Sequence, residues 1–126
     1  MTFPEFLEKY RAEISNVQGI LSEPLDDNPA RLSEQLRQIE RWYGRVSFFL
    51  AHANAYLDGA ENDAWHRMQG DKRNVAEKEC QIADEVKSER KMRDILDGMA
   101  RAIDRRISLG QSLLRVAEKE ARTRVA

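Results

Sequence analysis

Arginine in rows is the chemistry this sequence repeats most clearly. Arg37, Arg41 and Arg45 recur every four residues, and Arg101, Arg105, Arg106 and Arg115 gather near the end of the chain. Four-residue spacing places side chains on one face of a helix. A row of guanidinium groups suits repeating phosphates, because each can bind one through two hydrogen bonds and release counterions. Trp42 and Tyr43 stand beside the first row and offer flat faces for stacking unpaired bases. The competing reading is a solvated helix face. Arg37 would then answer Glu34 or Glu40, and the aromatic pair would belong partly to a core.

Catalytic chemistry is poorly provided for. No glycine-framed Ser or Cys appears, and no glycine-rich loop that could cradle phosphate. His52 and His66 are the only imidazoles. Asp63-x-x-His66 would share one helical face, as metal ligands often do. Helical di-metal sites, however, take Glu-x-x-His from two helices together with further carboxylates. Glu85 and Glu89 lack the Glu-x-x-Glu spacing of the helical pyrophosphohydrolases. Cys80 has Lys78 nearby but no His or second Cys, and reads as a half-buried small apolar residue. The sequence predicts no enzyme activity, no metal and no cofactor.

The elements that must position the arginines are helices. Charged residues make up 34% of the 126 residues, with only six Gly and three Pro, a balance typical of long helices or coiled coil. The length suits one domain with a real core. The net charge of −1 hides an asymmetry: residues 1–70 carry 7 basic and 11 acidic side chains, residues 71–126 carry 14 and 11. An anion-binding surface would lie mainly in the second half. A single cysteine excludes an intramolecular disulfide and fits a reducing compartment. No apolar run approaches the length of about eighteen residues needed for a membrane span. The acidic start MTFPEFLEKY does not look like a signal peptide. A cytoplasmic protein is expected.

Along the chain, Thr2, Pro4 and Glu5 form a capping-box start for a first helix over residues 1–24. Phe3, Phe6, Leu7, Tyr10, Ile14, Val17, Ile20 and Leu21 give it an apolar face, and Pro24 stops it. PLDDNP is a compact turn, after which Asn28 caps a second helix and Pro29 takes its first position. That helix spans 29–69 if it continues through Gly59, about 40 residues and roughly 60 Å. Gly70 and Asp71 break the chain. Residues 71–93 are densely charged and read as a solvated helix, a stalk or a mobile strap. A last helix over 88–123 opens with Glu89 and Arg93 as an i,i+4 pair. Its apolar stripe is Met92, Ile95, Leu96, Met99, Ile103, Ile107, Leu113, Leu114 and Ala117. The prediction is a single all-α domain of three or four long amphipathic helices in an elongated hairpin or bundle. Stripes this long are not all buried in a monomer, so a homo-oligomer is expected to complete the packing.

The order of these features resembles the bacteriophage recombination mediators of the UvsY type. A long helix with aromatic and basic residues (IERWYGRVSFFLAHANAYLDG) precedes a charged middle (DKRNVAEKECQIADEVKSERK). A helix of the form L-x-x-x-x-x-A-I-x-x-R follows, from Leu96 to Ile103 and Arg106, and then LGQSLLRVAEK. Tyr56, Leu57, Asp58 and Gly59 match an aromatic-x-x-Gly turn, and the likeness covers roughly residues 32–117. The resemblance implies a homo-oligomer that binds single-stranded DNA and helps a recombinase load onto it. By position it carries Arg41, Arg45 and Arg106 as contacts. Family members have Lys or Arg just ahead of the aromatic-x-x-Gly turn. Here Ala51, His52, Ala53 and Asn54 stand there, which moves the expected contact to the Arg37 ridge. The host cytoplasm is the setting this implies. The alternative, from the stripes alone, is a helical interaction, assembly or inhibitor protein with no nucleic-acid role.

Overall fold

Local chemistry starts and stops the helices where the sequence places it. The computed structural model describes residues 1–125. It contains α1 (Phe3–Ser22), α2 (Pro29–Arg67), α3 (Val75–Glu85) and α4 (Lys87–Val125), and no strand among the described residues. The fold is all-α. At the start of α1 the Glu5 N–H donates to Thr2 Oγ1 at 3.3 Å and the Thr2 N–H donates to Glu5 Oε2 at 3.4 Å. These reciprocal bonds satisfy two donors that a helix start would otherwise leave open. Asn28 Oδ1 accepts from the Ala30 and Arg31 N–H groups at 3.0 and 3.2 Å, with Pro29 in the first turn. The intervening turn is pinned to α2 by Gln35, which donates to the Pro24 carbonyl and accepts from the Asp26 N–H, both at 2.9 Å.

The second helix runs unbroken through Gly59 for 39 residues, about 58 Å at 1.5 Å per residue. Buried Leu57 and Ala64 on either side hold it in register against the weak helix propensity of glycine. Gly70, at φ 84°, then supplies the left-handed backbone that turns the chain. Asn74 starts α3 by accepting from the Glu77 N–H at 2.8 Å. The charged segment is therefore neither stalk nor strap. Its two buried apolar residues, Ile82 and Val86, close onto Leu57, Ala64 and Met68 of the α2 end. Arg67 bonds Glu85 at 2.6 Å and Arg90 bonds Glu61 at 3.1 Å across the same junction. The expected Glu89–Arg93 pair does not form. Arg93 bonds Asp94 at 2.8 Å, and the Glu89 carboxylate is drawn inward, with one oxygen buried and without a hydrogen-bond partner.

Helices α2 and α4 pack as an antiparallel pair: Gly110 lies against Leu36 at one level, and Arg90 meets Glu61 at the other. A Cβ at Gly110 would stand 2.5 Å from a Leu36 methyl, so the helices come close there. The first helix runs along this hairpin antiparallel to α2, with Phe3 at Tyr56, Tyr10 at Phe48 and Glu13 at Arg45. Phe6, Ile14 and Val17 join Ile39, Val46, Phe49 and Ala53 of α2 and Leu96, Met99 and Ile103 of α4 in one buried core. No helix among the described residues is long and apolar enough to cross a membrane.

Candidate functional site

Folding draws one arginine of each cluster, Arg45 and Arg106, into contacts between helices. Arg45 bonds Glu13 through both ends of its guanidinium, Nε to Oε1 at 2.7 Å and Nη2 to Oε2 at 2.9 Å. Its guanidinium also lies 5.0 Å from the ring centres of Phe48 and Phe49 and 5.7 Å from that of Tyr10. The hydrogen bond from Arg45 holds the Glu13 carboxyl below its ordinary range, and Glu13 in turn raises Arg45. This residue ties α1 to α2. Arg106 does the same for α1 and α4. It donates to the Leu21 carbonyl at 2.8 Å and through Nη1 to the Glu23 carbonyl at 2.7 Å, with Nη2 on the same Glu23 oxygen. These are carbonyls that the end of α1 leaves without helical partners.

Local partners occupy three more of the arginines. Arg37 bonds Glu34 at 3.2 Å, and Arg101 bonds Asp97 at 2.8 Å. Arg115 reaches only its own helix, at 3.4 Å from the Gln111 carbonyl and from Ser112 Oγ. Arg41 and Arg105 are exposed and meet no acid among the described residues. The aromatic pair divides. Trp42 is half-buried against the core, while Tyr43 is 47% exposed. Two steps along a helix turn the side chain by about 200°, so Tyr43 projects almost opposite to Arg41 and cannot stack beside that row. Of the nine residues nominated from sequence, Arg41, Arg105 and Arg115 are exposed cations with no acid partner among the described residues, the first on α2 and the others on α4.

A second group of cations was not visible in the pattern. Arg11 lines a groove between α1 and α4 with Met92 and Ile95, and Lys87 and Lys91 line the adjoining groove, which shares Ile95. None of the three has an acid partner among the described residues. Lys87 and Lys91 do show i,i+4 spacing, but Arg11 is 80 residues away from Lys91 in sequence. Only the packing of α1 on α4 joins them.

The other chemistry-bearing side chains are structural or exposed. His52 stacks among aromatic rings, 4.4 Å from Phe48 and 5.9 Å from Phe6 between ring centres. Asp63 and His66 gather no third metal-type ligand among the described residues. Cys80 is exposed rather than half-buried, because the inward side is set by Ile82 of α3 and by Val86 just after it.

The least expected surface is apolar. Leu109, Leu113 and Val116 on α4 are 55%, 43% and 55% exposed. They begin where α1 ends. The register set by Leu36 and Gly110 puts Pro29, the first residue of α2, opposite Ala117. Residues 118–125 run past the start of α2 and are all exposed. Comparison of the chain with protein-family models, with curated proteins and with solved structures finds no match, and its function is read from these surfaces alone.

Proposed function

We propose that this chain is a helical assembly protein, whose working surface is the open end of α4 and whose first partner is another copy of itself. One observation carries the reading. Leu109, Leu113 and Val116 present apolar side chains to water in i, i+4, i+7 order, while Arg45 and Arg106, two of the arginines that could have bound phosphate, are tied to α1. A row of exposed aliphatic residues on a helix is removed from water by another helix, not by a nucleic acid. The mass in solution, measured with and without an unstructured oligonucleotide, tests this. The expected result is a mass above the 14.6 kDa of one chain, unchanged by the oligonucleotide.

A second reading has its own support. The phage-mediator resemblance implies an accessory protein of recombination that binds single-stranded DNA and a recombinase. Arg41, Arg105 and the cations Arg11, Lys87 and Lys91 remain available for phosphate. Such binding would weaken steeply with salt, in proportion to the phosphates engaged. Oligonucleotide affinity measured across a salt series decides for it if that slope appears, and against it if no binding is detected at low salt.

A further inference from the structure

The open end of α4 is complementary to itself. Arg105, Leu109, Leu113, Val116 and Glu120 fall within an arc of about 80° around the helix, a single stripe along four turns. Leu109 and Val116 are equidistant from a point between Ser112 and Leu113. Arg105 and Glu120 are equidistant from that same point. A two-fold axis there lays Leu109 of one copy on Val116 of the other and places Leu113 beside its own mate. Glu120 then faces the Arg105–Arg106 pair. Arg106 is held by the end of α1, so Arg105 is the cation free to answer it. Neither Arg105 nor Glu120 has an ion-pair partner within the described residues, and both are exposed.

We propose that two copies of this chain pair antiparallel through the open ends of α4, about a two-fold axis between Ser112 and Leu113. This rests on the assembly reading above and adds the partner's direction and register to it. A parallel pair would set Arg105 against Arg105 and Glu120 against Glu120, like charges at both ends of the stripe. An antiparallel pair sets opposite charges at both ends, and an isologous contact closes without inviting a chain of further copies. The stripe is free to receive a second helix because α1 stops at Ser22 and the turn after it is bound to Gln35.

Charge exchange and cross-linking test the register. R105E alone and E120R alone should each raise the dimer dissociation constant, by about tenfold, and the R105E/E120R double variant should recover most of the loss. In a C80S background, which removes the exposed native thiol, S112C should give a disulfide-linked dimer on mild oxidation. Leu113→Asp should give a monomer with unchanged helix content, since Leu113 takes no part in the buried core. A wild-type chain that is monomeric at every soluble concentration overturns this contact and the assembly reading together. A wild-type oligomer in which the double variant recovers nothing and S112C does not cross-link overturns the two-fold contact while leaving assembly standing.

Discussion

The two ends of the α2–α4 hairpin are built from the same kinds of residue and finished differently. At one end α3 folds back, and Leu57, Ala64 and Met68 are sealed under Ile82 and Val86, with two ion pairs across the seam. At the other end no third helix is present among the described residues. The first helix stops short, α2 begins late, and α4 runs on with Leu109, Leu113 and Val116 uncovered. A charged eleven-residue helix closes one end with two well-placed apolar side chains, Ile82 within it and Val86 just past its last residue. A longer apolar stripe stays open at the other for want of a cover. Burial here follows from which segment returns to the hairpin, not from how apolar the local sequence is.

Substitutions at matched positions break the comparison most sharply. Leu57→Ala, at the closed end, should destabilise the chain by about 2–5 kcal/mol, as expected when a buried leucine is truncated. Leu113→Ala, at the open end, should change the stability of the dilute chain by less than about 0.5 kcal/mol. Urea titration of both variants at low concentration checks the pair. Equal losses would mean that the open end is covered within a single chain.

A smaller effect belongs to the place where α1 ends and the open face begins. Arg106→Ala removes the donors on the Leu21 and Glu23 carbonyls and should cost about 1–2 kcal/mol. Hydrogen exchange should show the last turn of α1 opening first in that variant. In the opposite direction, Gly59→Ala should stabilise by about 0.5–1 kcal/mol, because a methyl group there meets nothing and the helix gains propensity. Thermal unfolding reads that gain.

The acid response separates the middle of the molecule from its closed end and is the least of these effects. Glu13 is lowered from 4.5 by its hydrogen bond from Arg45, and Asp71 from 3.8 to about 2 by its bond from Arg73. Both are depressed carboxylates. Their contribution is complete above the unfolded values and is lost as pH falls through the folded ones. Stability should therefore decline from just above pH 4 toward pH 2, and Glu13→Gln should flatten part of that decline without steepening it elsewhere.

What could be read from sequence was what lies within a few residues. Thr2 with Glu5, Asn28 with Pro29, and Gly70 each act on their own neighbours, and each marks a boundary in the fold. Arg37 with Glu34 was legible for the same reason. The roles of Arg45 and Arg106 were not. The acid that holds Arg45 is 32 residues away, and the acceptors of Arg106 are main-chain carbonyls 85 and 83 residues away, which no side-chain pattern displays. The closing of α3 was hidden too, because Ile82 and Val86 are sparse among charges and only the hairpin end gives them a partner. Which part of the α4 stripe stays uncovered, Leu113 included, was not legible, since periodicity shows that a face is apolar but not what covers it.

The most direct test is the mass of the chain in solution across a range of concentrations, wild type beside Leu113→Asp. A wild-type mass above 14.6 kDa that falls to 14.6 kDa in the variant, with helix content unchanged, is the result expected if the open end of α4 is the assembly surface. A wild-type mass that stays at 14.6 kDa throughout, or an oligomer that Leu113→Asp leaves intact, would contradict it.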